Sequence, residues 1–423
     1  MGTFQSGESR DENLKPETQT PQPETLSPKP SQRAKSLFSF CAFHFIDDGF
    51  ADSIYLLLPF IAAELHLSFS EVGLLKGVFS GAMGLFQVPM SLLGERIGEL
   101  TVIASGTFGL AGGFLLLSFA TTFPAIFFAL IFAKGTGAGQ HGLSSSVLSR
   151  VFEESGRRGA MGTFNFAGDV GKVTLPFLLA VLINLSGWRS AVFTLSLGGI
   201  ASGIVLWTLA RKTKIGASLP RIAEKQVAGE SRWGIKDRKG FSALLTIGVV
   251  DISTRTALLT FLPFLLLQKE IPAPQVGFAL TVLFAGGAAG KFACGFLAEW
   301  FGVIPMVVAT EALTTVGILS LFVASGKGIW FLLPLVGVFL NGTSSVLYAT
   351  VAEIISPSGR SRGYGLYYAI TLTSGAIAPI IYGFVTDFLG LSFTIICTAL
   401  MALITIPLSR YLSKPTISTP SPA

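Results

Sequence analysis

The chain reads as an all-α membrane protein: twelve transmembrane helices in two pseudo-symmetric six-helix bundles. Three observations predict it. Of 423 residues 50% are hydrophobic and only 13% charged, where soluble domains carry about 25% charged residues. The apolar residues gather in long unbroken runs, and one gap-free register relates the second half of the chain to the first.

Runs of about 20 apolar residues place spans near 37–63, 72–93, 101–121, 124–149, 160–184, 189–210, 241–267, 275–297, 303–324, 328–352, 364–386 and 390–411. In lipid each span must satisfy its own backbone hydrogen bonds, which continuous runs do as helices and an alternating barrel pattern does not. Residues 1–36 are rich in Pro, Ser, Gln and Thr, balance five acidic against five basic residues and are expected to be a disordered tail. They lack the form of a secretory signal, so the first span is expected to be retained. The domains are then 37–210, a basic linker 211–240, 241–411 and a tail 412–423.

Lysine and arginine placement sets orientation. With both termini cytoplasmic, the inner loops hold fifteen, nine of them between Arg211 and Lys239, and the outer loops only Arg189, Lys269 and Lys327. The net charge of +6 therefore marks loops facing the cytoplasm of an inner (plasma) membrane, and no nucleic-acid partner is expected. Cys41, Cys294 and Cys397 lie in apolar runs and read as packing residues.

Shifting the second half back by 204 positions aligns Asp47 with Asp251, Leu58-Pro59-Phe60 with Leu262-Pro263-Phe264, Val72-Gly73 with Val276-Gly277, Glu95 with Glu299 and Gly98 with Gly302. Such a register marks a duplicated unit. Six plus six spans, a basic central loop and an acidic-glycine turn after the second span of each half resemble the major facilitator superfamily. Ser91-Leu-Leu-Gly94-Glu95-Arg96-Ile97-Gly98-Glu99 keeps Glu95, Arg96 and Gly98 of that family's G-x-x-x-D-R-x-G-R-R turn, with Ser91 and Glu99 departing from it; in the second half Gly295, Glu299 and Gly302 keep the pattern and Trp300 replaces the arginine. The resemblance implies gating turns at Glu95, Arg96, Gly98, Glu299 and Gly302. "HFIDDGFADS" and "GRRGAMGTFNFAGDVGKVTLP" resemble the fosmidomycin-resistance-type branch of drug exporters.

The first span carries unusual charge. His44, Asp48, Asp52 and Tyr55 share one helical face, with Asp47 about 100° around the wheel. An ionised aspartate at midplane costs about 2.5–3.5 kcal/mol on insertion scales, so these groups are expected to meet water, a partner or a substrate, and an aspartate there can exchange protons as a cavity alternately opens. Asp251 with Arg255, four residues on, reads equally as a self-neutralising pair or a substrate contact. Lys134 has no charged residue three or four positions away on its helix, and an aspartate of the first span is its expected partner. His141, Asn165, Asp169 and Lys172 on the fourth and fifth spans, and Lys291, Glu311 and Asn341 in the second half, are further candidate linings; Asp169 and Lys172 also read as a local i,i+3 pair.

Gly137-Ala-Gly139-Gln-His-Gly142 fits the dinucleotide pattern G-x-G-x-x-G but lies inside a span, where no strand precedes it. Its glycines, with Gly109/Gly113 and Gly286/Gly290, read as surfaces for close helix approach. No Walker lysine motif, nucleophile elbow or paired metal-ligand spacing occurs, so neither a cofactor nor a catalytic role is expected. The expected function is alternating-access transport: proton-coupled efflux of a drug or metabolite by a monomer in the bilayer, with uptake of an anionic metabolite or a non-transporting receptor as alternatives. The expected partners are a small-molecule substrate and protons.

Overall fold

The computed structural model describes residues 30–152, 156–212, 235–356 and 360–412. The tail up to residue 29, most of the basic linker and the last residues of the C-terminal tail lie outside the described residues. The first half comprises α1 (Pro30–Leu65), α2 (Phe69–Ile97), α3 (Glu99–Phe119), α4 (Phe123–Gly137), α5 (Gln140–Val151) and α6 (Arg157–Lys212). The second comprises α7 (Arg238–Gln268), α8 (Ala273–Phe301), α9 (Val303–Val323), α10 (Lys327–Ile354), α11 (Arg360–Leu389), α12 (Leu391–Ala402) and α13 (Thr405–Ser409).

Among the described residues, nine helical segments are long and apolar enough to cross a membrane. One of them, α6, crosses twice, breaking at Gly187 (φ 78°). The charges of α1 keep it out of that set, and α4 and α5 are one span interrupted at Ala138-Gly139, so the expected continuous helix over 124–149 is broken. With these two added, the twelve expected passes are present. α1 is already helical at Pro30, the first described residue, ahead of the expected 37.

The duplication extends to backbone conformation. α2 and α8 are each 29 residues, α3 and α9 each 21, and their bounds differ by the same 204 positions. Among the described residues the two non-glycines with left-handed backbone, His66 (φ 51°) and Glu270 (φ 62°), are equivalent in that register, as are Gly98 (φ 101°) and Gly302 (φ 86°). The last carbonyls of α3 and α9 lack helical donors and are met by two of the three outer-loop cations. Arg189 donates to Ser118 O (3.0 Å) and Ala120 O (2.7 Å), and Lys269 to Phe322 O and Ala324 O (both 2.7 Å). Those carbonyls are equivalent; the cations are not. Arg189 and Lys269 therefore break the charge rule for a structural reason.

Small residues set helix spacing. A Cβ on Gly113 would overlap Ala133, one on Gly109 would overlap Thr136, and Gly286 and Gly290 lie against the backbone of Pro334 and Val338. Gly171 lies against the Phe45 carbonyl, which brings α1 and α6 together. At the end of the bundle away from the linker, α2 packs on α11: Gly73 meets the Pro379 carbonyl, and a Cβ on Gly383 would lie 2.5 Å from Phe69 O. The N–H groups of Phe69 and Ser70 donate to Asp387 Oδ1 (2.8 Å) and Oδ2 (2.9 Å), so a carboxylate of the second half caps a helix of the first. This end is closed.

Candidate functional site

Between the halves lies a cavity of about 1890 Å³. Its walls run from Tyr55, Lys76 and Arg255 at mid-depth to Glu95, Arg150 and Tyr364 near the linker end, so its mouth is at that end. The α1 stripe faces it: His44, Asp48, Asp52 and Tyr55 all line the wall, whereas Asp47 does not.

Asp47 is 1% exposed and points into the first half, where Lys134 Nζ donates to its Oδ2 at 2.9 Å. The α4/α5 break makes room for it: a Cβ on Gly137 would lie 2.9 Å from Asp47 Oδ1. The glycine pattern at 137–142 thus does more than let helices approach; it admits a carboxylate.

Asp48 is shared. Its Oδ2 lies 2.9 Å from Lys172 Nζ and 3.2 Å from His44 Nε2, and its Oδ1 lies 3.4 Å from His141 Nε2. His44 Nδ1 is 2.8 Å from the Phe164 carbonyl; a carbonyl only accepts, so Nδ1 carries a proton. Its Nε2 is buried with no aligned hydrogen-bond partner. Gly168 permits the approach, since a Cβ there would lie 2.6 Å from Asp48 Oδ2 and 2.7 Å from the His44 ring.

Lys172 also lies 3.4 Å from Asp169 Oδ1, the local pair expected from spacing. The same oxygen receives Lys291 Nζ of α8 at 2.5 Å, so the chain of charges from Asp48 crosses into the second half. Asp251 and Arg255 form no ion pair; Arg255 Nη1 donates instead to Asn341 Oδ1 at 3.4 Å, and Asn341 lies off the cavity wall, its amide bonded to Gly337 O. Asn165 lines the cavity. Glu311 is 1% exposed and its Oε1 has no partner.

Three groups on the wall stand apart. Asp52 has no hydrogen bond or ion pair among the described residues, and neither Lys76 nor Arg255 has a carboxylate partner there. Lys76 donates to Ser80 Oγ and lies 4.8 Å from the centroid of the Tyr55 ring. The spacing argument missed Lys76, although a lone lysine inside "EVGLLKGVFSG" carries the same signal as Lys134, a costly charge without a local partner. Of the turn residues, Glu95 and Arg96 are exposed at the end of α2 and Glu299 at the end of α8. Glu99, which departs from the family turn, pairs with Arg150 at the end of α5.

A model described as the Major Facilitator Superfamily matches residues 38–250 and 243–423. The chain belongs to that superfamily. This facilitator is 24% identical over 358 residues to the probable L-galactonate transporter of Escherichia coli, covering 77% of each chain. To the fosmidomycin resistance protein of Escherichia coli it is 25% identical over 199 residues, covering 46% of this chain and 48% of that one. Among solved structures, an inward-facing, occupied bacterial homolog of the human lysosomal transporter Spinster shares its fold with a TM-score of 0.77 at 15% identity, covering 90% of the facilitator and 97% of that chain. Family and relatives together indicate a membrane transporter rather than an enzyme, a multi-pass protein that carries a small molecule.

Proposed function

We propose that this facilitator is a proton-coupled carrier of a small organic anion. The observation that carries the reading is the pairing pattern on the cavity wall: among the described residues Lys76 from the first half and Arg255 from the second touch no carboxylate directly, and Asp52 touches no cation directly. A buried cation without a partner is costly, and an anionic substrate between the halves would supply both. A substrate touching both halves also favours the state in which they close on it. The likeness to a protein named for L-galactonate, a carboxylate, agrees in charge.

Asp52 is the coupling group in this reading. Asp47 and Asp48 are held by Lys134 and Lys172, whereas a proton arriving at Asp52 breaks no ion pair. Moving one charge against the membrane potential costs about 2.3 kcal/mol per 100 mV, so a proton travelling with a monovalent anion cancels the electrical penalty of uptake. With Arg150 near the mouth and Lys212 and Arg238 flanking the linker, the cavity opens to the cytoplasm of an inner (plasma) membrane with both termini inside. Export is the second reading, supported by the partial likeness to the fosmidomycin resistance protein.

Reconstituted vesicles containing a pH-sensitive dye, challenged with a panel of small carboxylates and phosphonates, test the proposal. The expected result is substrate-dependent proton movement that Lys76→Gln and Arg255→Gln lose, while Asp52→Asn retains substrate exchange without proton movement. Transport restricted to neutral or cationic compounds, or full proton coupling in Asp52→Asn, overturns it.

A further inference from the structure

Two of the chain's three histidines meet at one point on the cavity wall. His44 and Asp48 come from α1 and His141 from the start of α5, just past the break in the fourth span. One ligand atom from each, imidazole nitrogens and a carboxylate oxygen, lies within 4.8 Å of the others. We propose that His44, Asp48 and His141 form a binding site for a divalent transition-metal ion, open to the transport cavity.

The ligand geometry is close to what a metal requires. Two ligands on a tetrahedral ion bound at about 2.0 Å are about 3.3 Å apart; His44 Nε2 is 3.2 Å from Asp48 Oδ2 and His141 Nε2 is 3.4 Å from Asp48 Oδ1, so each imidazole meets that spacing at one of the two oxygens. Closing the remaining gap falls to His141, whose side chain is 31% exposed on the wall and has room to turn. The ring of His44 is already set. Its Nδ1–H is spent on the Phe164 carbonyl at 2.8 Å, the arrangement that fixes the tautomer of a metal-binding imidazole and presents the other nitrogen. That nitrogen, Nε2, is buried, points at Asp48 and has no aligned hydrogen-bond partner. In the neutral ring that nitrogen carries a lone pair directed at the Asp48 carboxylate, which only accepts; a metal ion between them would use both. Gly168 is the residue that leaves the space, since any larger side chain there would overlap both His44 and Asp48.

The surrounding charges limit what can bind. Lys172 is 2.9 Å from Asp48 Oδ2 and competes for it, but has a second acceptor in Asp169 Oδ1 at 3.4 Å. Asp47 lies 3.7 Å from His141 Nε2 and is neutralised by Lys134. With Asp52 and Lys76 on the same wall, four aspartates (47, 48, 52, 169) thus face four lysines (76, 134, 172, 291), and a divalent ion brings two further positive charges into a balanced cluster. Two imidazoles and one carboxylate favour Zn²⁺, Co²⁺ or Ni²⁺ over Mg²⁺ or Ca²⁺, which prefer oxygen shells. Three protein ligands leave at least one position open, facing the cavity, where a carboxylate-bearing solute restores charge balance.

The test uses the full chain purified without a polyhistidine tag, titrated with Co²⁺ and Zn²⁺ alone, then with citrate present at a fixed free metal concentration. One Co²⁺ per chain is expected, with a visible absorption band displaced by Zn²⁺. Affinity should fall about tenfold or more in His141→Gln and in His44→Gln and stay unchanged in His66→Gln; Mg²⁺ should not compete, and citrate should raise occupancy. His141→Gln is the decisive variant, because its partly exposed side chain can change without emptying the core; retention of the wild-type melting temperature certifies its fold. Absence of stoichiometric Co²⁺ or Zn²⁺ binding by the folded wild type, or equal binding by folded His141→Gln, overturns the site. Transport of a metal-free carboxylate tests the preceding proposal separately, so either can fail alone.

Discussion

Lys291 of α8 and Asp169 of α6 meet at 2.5 Å between Nζ and Oδ1 and join the two halves across the cavity. The same oxygen also faces Lys172, so Lys291 is tied through it to Asp48 and the α1 stripe. Rocking of the halves about this cavity changes the separation of α6 and α8, and a bridge made in this state contributes to the energy difference between states.

Lys291→Gln is therefore expected to raise the population of the state open at the far end. A contribution on the order of 1 kcal/mol, the range for coupled contacts, corresponds to roughly a fivefold shift. Distance measurements between spin labels at the two ends of α6 and α8 read it. Asp169→Asn should shift the distribution the same way, and the double variant should add little; additive shifts would show that the two residues act independently.

The Asp47–Lys134 pair has a different expected signature. Both groups are buried, and removing one partner strands the other, a loss of about 3–5 kcal/mol for buried pairs. Lys134→Met should markedly lower the melting temperature in detergent, and Asp47→Asn combined with Lys134→Met should recover most of it. No recovery in the double variant would point to a role beyond mutual neutralisation.

At the closed end, Asp387→Ala removes the carboxylate that accepts from Phe69 and Ser70 N–H. Loss of a charged cap costs about 0.5–2 kcal/mol, and here it falls on the closed arrangement of α2 against α11. The expected result is faster labelling of a cysteine introduced at Ser70, which keeps its backbone N–H and lies at the α2/α11 contact, by a membrane-impermeant reagent added from that side. An unchanged rate would leave the cap as ordinary helix stabilisation.

Gly168→Ala places a methyl against the His44 ring and Asp48 Oδ2. Overpacking of this kind costs about 1–3 kcal/mol, so the fold should survive while the α1 stripe is displaced. Substrate-dependent transport is expected to fall far more than melting temperature, measured on the same preparation. Parallel losses would place Gly168 in packing alone.

Much of the frame was legible in the sequence. Apolar runs gave the passes, and the 204-residue register that aligns Asp47 with Asp251 recurs in the helix bounds, whereas the left-handed backbone at His66 and Glu270 was not read from it, because neither residue type signals that conformation. The partner of Lys134 was also foreseeable, because an isolated intramembrane cation demands a nearby anion and the first span offered three. Other features were not. The Asp251–Arg255 pair expected from spacing is absent, since proximity along a helix does not decide which way a long side chain turns. The break within the fourth span was hidden because glycines in an apolar run are compatible with both a continuous and an interrupted helix.

By itself the sequence determined the number of passes, the duplication and the placement of costly charges in α1, because hydropathy and periodicity are local properties. Only the tertiary structure decided how those charges are shared. Asp48, Asp52, Lys134, His141 and Lys172 have Ile252, Thr256, Val338, Ser345 and Ala376 at the equivalent positions of the second half, so the repeat predicts none of their contacts. Which aspartate is paired with lysine, which is left open to the cavity and which faces two histidines depends on side chains from helices far apart in the chain, brought together by packing.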